Sequence, residues 1–272
     1  MHDKRTRGGL NFACGRLGAG SMASLVGLRG PLRSRLIEAL YTGKGLSEVG
    51  ASRDGFWVAA ESRLPRFRGT LQGWAKGLLG ARDPAELVHA LTALGLWESR
   101  AASRARLSDG EQRLAATLPA LLSDADGIVL VEEVFAGLDL VAKSRLLTLL
   151  EARVAEGVLV VIETDDWGVA EQCDSLAVIG REGVLFCGKT SSLMDRAVEE
   201  VRIATPREAS VRAMVDPFSV SVEVHRGEVR AWAPAGQDLA AKLLALGYGD
   251  VEFVVVRPAQ LRETVLAMLG PS

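Results

Sequence analysis

Two adjacent carboxylates, Glu132 and Glu133, follow the apolar residues 128–131 in the segment "IVLVEEVFAGLD" (128–139). Four apolar residues before an acidic pair predict a buried strand whose end reaches a site. Because side chains alternate along a strand, the two carboxylates must face opposite ways. One could hold a metal-bound water while the other polarises an attacking water. The alternative is a solvated strand end.

A second candidate is "GLRGPLRSR" (27–35), which lies between a predicted strand and a predicted helix. In a phosphate loop, glycines let backbone N–H groups surround a phosphate and a lysine reaches the terminal phosphates. The residues that fit this template are Gly27, Gly30 and Ser34. Arg33 stands at the lysine position, Leu32 stands where a glycine is needed, and Pro31 has no N–H. Taken alone, this segment is interpreted as an ordinary strand–helix turn.

A third candidate is "LSDGEQRL" (107–114). Ser108 and Glu111 have the S-x-x-E spacing of a capping box, so the segment predicts the start of a helix.

The elements that must position these residues alternate along the chain. Apolar runs that predict strands lie at 21–30, 55–60, 128–131, 158–163, 175–180 and 181–188, and helical patterns lie at 31–40, 69–97, 108–124 and 140–157, with a short helix near 165–173. Strands separated by such helices predict an α/β fold with a mostly parallel sheet covered on both faces. Ligands then bind at the carboxyl ends of the strands, which is where Glu132 and Glu133 lie.

The pattern changes after about residue 200. Segments 209–215, 219–225, 228–234 and 251–257 alternate as half-buried strands do, and 238–249 and 258–270 have helical spacing. We therefore expect a first domain over 1–200 and a small α+β domain over 201–272.

Composition excludes several classes of protein. The 272 residues are 48% hydrophobic and 24% charged with a net charge of −2, which gives no electrostatic case for a nucleic-acid partner. No apolar run approaches the roughly 18 residues that span a bilayer, and no signal peptide is indicated. Three distant cysteines do not suggest a disulfide framework or a zinc site, which fits a cytoplasmic protein.

The order of these motifs resembles the nucleotide-binding subunit of an ATP-binding cassette (ABC) transporter. "LSDGE" is similar to the LSGGQ signature of that family, and "ALLSDADGIVLVEEVFAGLD" (120–139) is similar to its Walker B and D-loop region. Residues 170–188 resemble the region after its switch, and "PAQLRETVLAMLG" is similar to the tail of ABC-2-type exporter subunits. The resemblance covers most of 10–200, with a helical subdomain at about 62–123.

The resemblance assigns a role to each motif position. The nucleotide-contacting positions are Gly27, Gly30, Arg33, Ser34, Ser108, Asp109, Gly110, Glu111 and Asp139; the magnesium positions are Ser34, Glu61 and Glu132. Glu133 takes the position of the catalytic base, and Thr164 takes that of the switch histidine. Asp109 and Glu111 replace a glycine and a glutamine of the signature, and the longer Glu132 replaces the metal-holding aspartate.

These departures predict a degenerate nucleotide-binding subunit, a pseudo-ATPase, with weak or absent binding of ATP and Mg²⁺ in its own site. One lost transition-state contact typically costs about 10²–10³ in rate, and several positions are altered here. The expected partners are a transmembrane permease subunit, docked around 61–74, and a second nucleotide-binding subunit, either an intact paralogue or a second copy. The expected location is the inner face of the cell membrane. The alternatives are an active ATP-hydrolysing exporter subunit and a soluble ABC-type protein that acts on nucleic acid or ribosomes.

Overall fold

A computed structural model describes residues 9–61, 64–79, 83–130, 134–195, 197–245 and 251–269. By its internal contacts the chain divides into two compact units, Met1–Thr190 and Ser191–Ser272. This division falls earlier than the boundary predicted between residues 200 and 201. The strand at Glu199–Ala204, which the sequence analysis did not predict, pairs only with strands of the second unit in the described part of the chain.

The first unit is built on a six-stranded, mostly parallel sheet. The strands of the unit, which form this sheet and a smaller one, are β1 (Leu10–Phe12), β2 (Gly15–Leu17), β3 (Met22–Gly27), β4 (Ala51–Arg53), β5 (Trp57–Ala60), β6 (Gly127–Leu130), β7 (Leu159–Glu163), β8 (Ser175–Ile179) and β9 (Val184–Lys189). The large sheet has the order β5-β6-β7-β3-β8-β9, and only the β8–β9 pair is antiparallel. β2, β1 and β4 form a separate antiparallel sheet. The predicted α/β architecture is confirmed.

The helices of this unit connect the strands and cover the sheet. They are α1 (Pro31–Thr42), α2 (Leu71–Lys76), α3 (Pro84–Ala93), α4 (Asp109–Ala116), α5 (Leu118–Leu121), α6 (Leu140–Ala155) and α7 (Trp167–Ala170). The prediction of one helix over 108–124 was wrong, because α4 ends at Ala116 and a separate short helix, α5, begins at Leu118. Pro119 lies in the first turn of α5, where its missing N–H costs nothing, and it could not continue α4.

The core of the first unit lies on both faces of the large sheet. On one face β6 and β7 pack against α2–α6 through a cluster that includes Ile128, Leu130 and Leu146. On the other face β3 and β7 pack against α1 and the small sheet through Leu25, Val161 and Leu36. These strands are buried on both faces, which explains their continuous apolar runs.

The second unit is a four-stranded antiparallel sheet with helices. It contains most of α8 (Thr190–Met194), then β10 (Glu199–Ala204), α9 (Glu208–Val215), β11 (Ser221–His225), β12 (Glu228–Ala233), α10 (Gly236–Ala245), β13 (Phe253–Arg257) and α11 (Leu261–Leu269), with the strand order β11-β12-β10-β13. The predicted α+β class is confirmed. The strand predicted at 209–215 is wrong: Val211 and Val215, four residues apart, are both fully buried on one face of α9.

Candidate functional site

The carboxyl ends of the central parallel strands meet at one edge of the large sheet. Gly27 of β3 pairs with Ile179 of β8, and Leu25 of β3 pairs with Glu163 of β7. The segments that follow these strands therefore lie side by side. β6 ends at the same edge, but Glu132 and Glu133, which follow it, lie outside the described residues.

The segment between β3 and α1 begins with a glycine that the sheet requires. Gly27 has φ +120°, and a Cβ atom there would lie 2.3 Å from the carbonyl oxygen of Ile179. The N–H of Leu28 donates to that carbonyl at 2.9 Å. One backbone N–H of the predicted phosphate loop is thus used by the sheet.

Helix α1 starts without a side-chain cap. Gly30 is its N-cap residue in an extended conformation, Pro31 is at its first position, and its first turn contains no acidic residue. Ser34 is exposed, and its N–H donates to the Gly30 carbonyl at 3.2 Å. The predicted start of the helix at Pro31 is confirmed.

Arg33 is buried in a cluster of opposite charges. Its side chain is 3% exposed, and its Nε donates to Oε1 of Glu163 at 2.9 Å. Its Nη1 donates to Oδ1 of Asp165 at 2.7 Å and to the Gly27 carbonyl at 3.3 Å. The guanidinium therefore joins the segment after β3 to the segment after β7.

A second arginine binds the same aspartate. Arg29 Nε donates to Oδ2 of Asp165 at 2.5 Å, and the Arg29 side chain is 71% exposed. Each oxygen of Asp165 thus accepts from a different guanidinium, as a bridging anion would. Glu163, Asp165 and the two arginines carry balanced formal charge.

The rest of the segment after β7 is fixed by further hydrogen bonds. Thr164 is 2% exposed, and its Oγ1 accepts from the N–H of Asp166 at 2.9 Å. Asp166 caps α7 by accepting from the N–H groups of Gly168 and Val169, and its Oδ2 accepts from Lys143 Nζ at 2.5 Å. The hydrogen bond from Lys143 lowers the pKa of the Asp166 carboxyl.

The N-terminus of α4 is capped by side chains of its own first turn. Ser108 and Glu111 form the predicted capping box, which is confirmed. Oε2 of Glu111 accepts from the backbone N–H and the hydroxyl of Ser108, each at 2.8 Å, and its Oε1 accepts from Ser99 Oγ. The Ser99 hydroxyl is the largest cause of the lowered pKa of the Glu111 carboxyl.

The neighbours of this helix start are Asp109, Gly110 and the segment before α6. Asp109 is exposed at the first position of α4, and a Cβ on Gly110 would lie 3.8 Å from Leu138. Asp139 is the N-cap of α6, with Oδ1 accepting from the N–H of Ala142 at 2.8 Å. In this structure Ser108 and Asp139 both act as helix caps.

A groove of about 600 Å³ lies beside the helical region, in the segment predicted to dock a membrane partner. It is lined by Ala59, Glu61, Leu64, Pro65, Arg66, Arg104, Ala116 and Pro119. Glu61 is exposed here. Arg104 Nε donates to the Leu64 carbonyl at 3.2 Å, and the Phe67 and Trp74 rings stack at 5.3 Å. Arg63 of this segment lies outside the described residues.

Within the described ranges, no group of three or more His, Cys, Asp or Glu side chains is arranged to hold a metal ion. Across the same part of the chain, every helix is too short or too polar to cross a bilayer.

The partners of Arg33 were not predicted from the sequence. Thr164 was identified there as a candidate, but Asp165, Asp166 and Arg29 were not. A signal was present, because "LRGPLR" (28–33) and "ETDD" (163–166) carry opposite charges after two predicted parallel strands. Only the strand order shows that β3 and β7 are neighbours.

Comparison with known structures identifies the fold. A solved structure described as "Structure of ATP binding subunit of ABC transporter" superposes with a TM-score of 0.56, at 18% identity, over 69% of this chain and 92% of the other. The fold is that of an ABC ATPase. A second structure with this fold, "An inward-facing conformation of a putative metal-chelate type ABC transporter", gives a TM-score of 0.55 at 15% identity, over 86% of this chain and all of the other (100%).

Sequence comparison gives a shorter match. A Streptomyces avermitilis protein described as a "Putative ABC transporter ATP-binding protein" is 36% identical over 100 residues. The match covers 37% of this chain and 16% of that relative. No family model matches the chain.

Proposed function

We propose that the chain is a nucleotide-binding-type subunit of an ABC-type membrane complex whose own phosphate-loop position neither binds ATP tightly nor supports its hydrolysis. It acts as a structural or regulatory subunit on the inner face of the membrane. It pairs with a second nucleotide-binding subunit and docks on a transmembrane permease partner. The observation that carries this proposal is the burial of Arg33 among carboxylates of its own chain.

Arg33 can reach a bound phosphate only by leaving Glu163 and Asp165. Glu163 is 15% exposed, so this movement would leave a largely buried carboxylate without its guanidinium. Breaking a buried pair typically costs about 3–5 kcal/mol, which corresponds to a loss of roughly 150- to 4,000-fold in affinity. Asp165 adds repulsion, because its carboxylate lies between the two arginines that a phosphate would need.

The start of α4 supports the same proposal. A helix N-terminus attracts anions through its unpaired N–H groups and its dipole. Here Ser108 accepts from the Glu111 N–H, the Glu111 carboxylate lies against the same turn, and Asp109 adds another negative charge. A phosphate of a nucleotide held by a second subunit would meet carboxylates there.

The groove beside the helical region supports docking on a membrane protein. Arg66 and Arg104 line this groove together with half-buried apolar residues such as Ala59 and Pro119. Basic and apolar side chains together suit a polar-rimmed protein interface. One structural neighbour is described as a transporter, which agrees with this class of partner.

Nucleotide binding and phosphate release by the full chain test the proposal directly. We expect no saturable binding of Mg-ATP at micromolar concentration and no phosphate release above that of a Glu133→Gln variant. The Asp165→Asn variant removes the internal anion, so we expect it to bind ATP more tightly than the wild-type chain does. Asp124→Asn, away from this segment, is the matched control. Micromolar binding with turnover that Glu133→Gln abolishes would contradict the proposal.

The partners are tested by isolation from membranes. We expect the tagged chain to co-purify with an integral membrane protein and a second nucleotide-binding subunit. RNA or ribosomal protein in the preparation, with no membrane protein, would contradict the proposal.

The second candidate function is that of an active ATP-hydrolysing exporter subunit. One observation favours it: the first turn of α1 has no side-chain cap and no acidic residue, and Ser34 is exposed there. The nucleotide experiment separates the two, since only the active subunit turns over in a Glu133-dependent way.

A further inference from the structure

A small apolar cavity lies in the second unit, beside α9, the turn that follows it, and α10. Its volume is about 280 Å³, and its lining in the described part of the chain is Met214, Phe218, Leu239, Lys242, Leu243 and Ala245. All of these side chains except that of Lys242 are apolar. Protein interiors are close-packed, so a hollow of this size beside two helices is unusual. Water finds few hydrogen-bond partners there, which favours an apolar occupant.

The walls of the cavity are held in place by the core of the unit. Leu239 and Leu243 of α10 are 3% and 1% exposed, and they belong to the same buried cluster as Val215 of α9. Phe218 follows α9 in a short 3₁₀ turn, and the hydroxyl of the next residue, Ser219, donates to the Val215 carbonyl at 2.7 Å. The cavity is therefore formed before a ligand binds, so that binding has to order few side chains.

One positive charge lies at the mouth of the cavity. Lys242 is exposed, and its Nζ lies 4.6 Å from the centre of the Phe218 ring, which the cation attracts through the face of its π system. Within the described ranges, no carboxylate pairs with this ammonium group. An ammonium group has three N–H donors and no acceptor. An anion at the mouth would therefore find donors beside an apolar wall.

We propose that this cavity binds a medium-chain carboxylate, with the alkyl chain against Leu239, Leu243 and Phe218 and the head group at Lys242. Burial of the chain would provide the affinity, and the single charge would fix the orientation. The volume lies just below the roughly 300–1,000 Å³ of pockets for drug-sized ligands, which suits an alkyl chain better than a partner helix about 10–12 Å wide. This inference goes beyond the proposed function and requires neither nucleotide nor a membrane partner.

Calorimetric titration of the full chain with hexanoate, octanoate and decanoate tests the apolar part. Each two added methylenes should tighten binding about 15-fold until the chain fills the cavity. Ala245→Leu places a larger side chain at the cavity, so octanoate should bind it about tenfold more weakly. Ala241→Leu, exposed one turn earlier on α10 and outside the described lining, is the matched control and should leave the affinity unchanged. An affinity that does not change with chain length, or two variants that behave alike, would overturn the inference.

Lys242→Met tests the head group. The change keeps an apolar stem and removes the charge, so octanoate should bind about tenfold more weakly. Binding of 1-octanol, which has the same chain length and no charge, should stay as in the wild-type chain, whereas a folding defect would weaken both ligands. Arg212→Met, at an exposed position of α9, removes a positive charge outside the described lining and is the control. Equal binding of octanoate by the wild-type chain and Lys242→Met, or tighter binding of octylammonium than of octanoate, would overturn the inference.

Discussion

The starts of α1 and α4 are both helix N-termini at the predicted nucleotide surface, yet their polar groups find partners in different ways. At α4 the partners are neighbours in sequence, since the Glu111 carboxylate accepts from the N–H of Ser108, three residues before it. α1 has no such cap, and the charges beside it are neutralised by Glu163 and Asp165, which are 130 and 132 residues from Arg33. In each place a carboxylate of the chain itself contacts a residue at the start of the helix.

This difference predicts which of the two helix starts contributes more to the stability of the fold. A local cap forms as the helix forms and contributes about 1 kcal/mol. A buried ion pair between distant segments depends on the whole sheet, and its two halves are costly when separated. The four predictions that follow test this contrast.

The largest effect is expected from Arg33→Met. This change removes the buried contacts of Arg33 with Glu163 and Asp165, so the free energy of unfolding should fall by about 3–5 kcal/mol, as measured by urea denaturation. Arg35→Met, at an exposed neighbour in the same helix, should change it by less than about 0.5 kcal/mol. Equal effects from the two variants would mean that the buried cluster is not what holds α1 to β7.

The next effect is expected from Ser108→Ala. Loss of the capping hydroxyl should lower the free energy of unfolding by about 1 kcal/mol. Ser103 precedes a 3₁₀ turn at Arg104–Arg106 without forming a side-chain cap, so Ser103→Ala is the matched control and should be close to neutral. If both serines behave alike, the capping box does not stabilise this region.

A smaller effect is expected from Arg29→Ala. Arg29 binds the same aspartate as Arg33 but is 71% exposed, so its loss should lower the free energy of unfolding by only about 0.2–1 kcal/mol. Arg33→Met should remain more destabilising than Arg29→Ala in high salt, because salt screens the exposed pair of Arg29 more than the buried pairs of Arg33. A loss as large as that of Arg33→Met would show that burial does not separate the two pairs.

The smallest effect is a pH dependence at Glu111. Its pKa is lowered from 4.5 in the folded chain, so its contribution to stability is fully present above pH 4.5 and is lost as the pH falls through the folded value. Glutamine can also close a capping box, so Glu111→Gln should cost a few tenths of a kcal/mol at neutral pH. The two unfolding curves, measured against pH, should converge below 4.5. Curves that stay parallel would show that the carboxylate does not titrate with folding.

The sequence predicts what is local. The spacing of Ser108 and Glu111 predicts their capping box, and Pro31 predicts the start of α1. The run of apolar residues in β6 and β7 predicts buried parallel strands, and the α/β class follows from their alternation with helices. These signals were sufficient because each depends on neighbours within one turn or one strand.

The features that were not predicted depend on the order of strands in the sheet, or on a sequence pattern that fits both a helix and a strand. Asp165 could not be matched to Arg33 without knowing that β3 and β7 are adjacent. The residues of α9 alternate enough to imitate a strand, and only burial of Val211 with Val215 shows the helical period. β10 was not predicted, because three of the six residues in "EEVRIA" are charged. It forms a strand because it pairs with β12 on one side and β13 on the other.

The mutual dependence of Arg33, Glu163 and Asp165 also constrains how this site can change with time. The single change Arg33→Lys keeps one charge but loses the planar guanidinium that donates to two carboxylates at once. Removing Asp165 alone leaves Arg29 and Arg33 to repel each other. Because residues in one network do not contribute additively, the effect of changing all three differs from the sum of the three single effects. Arg33, Glu163 and Asp165 are therefore expected to change together rather than one at a time.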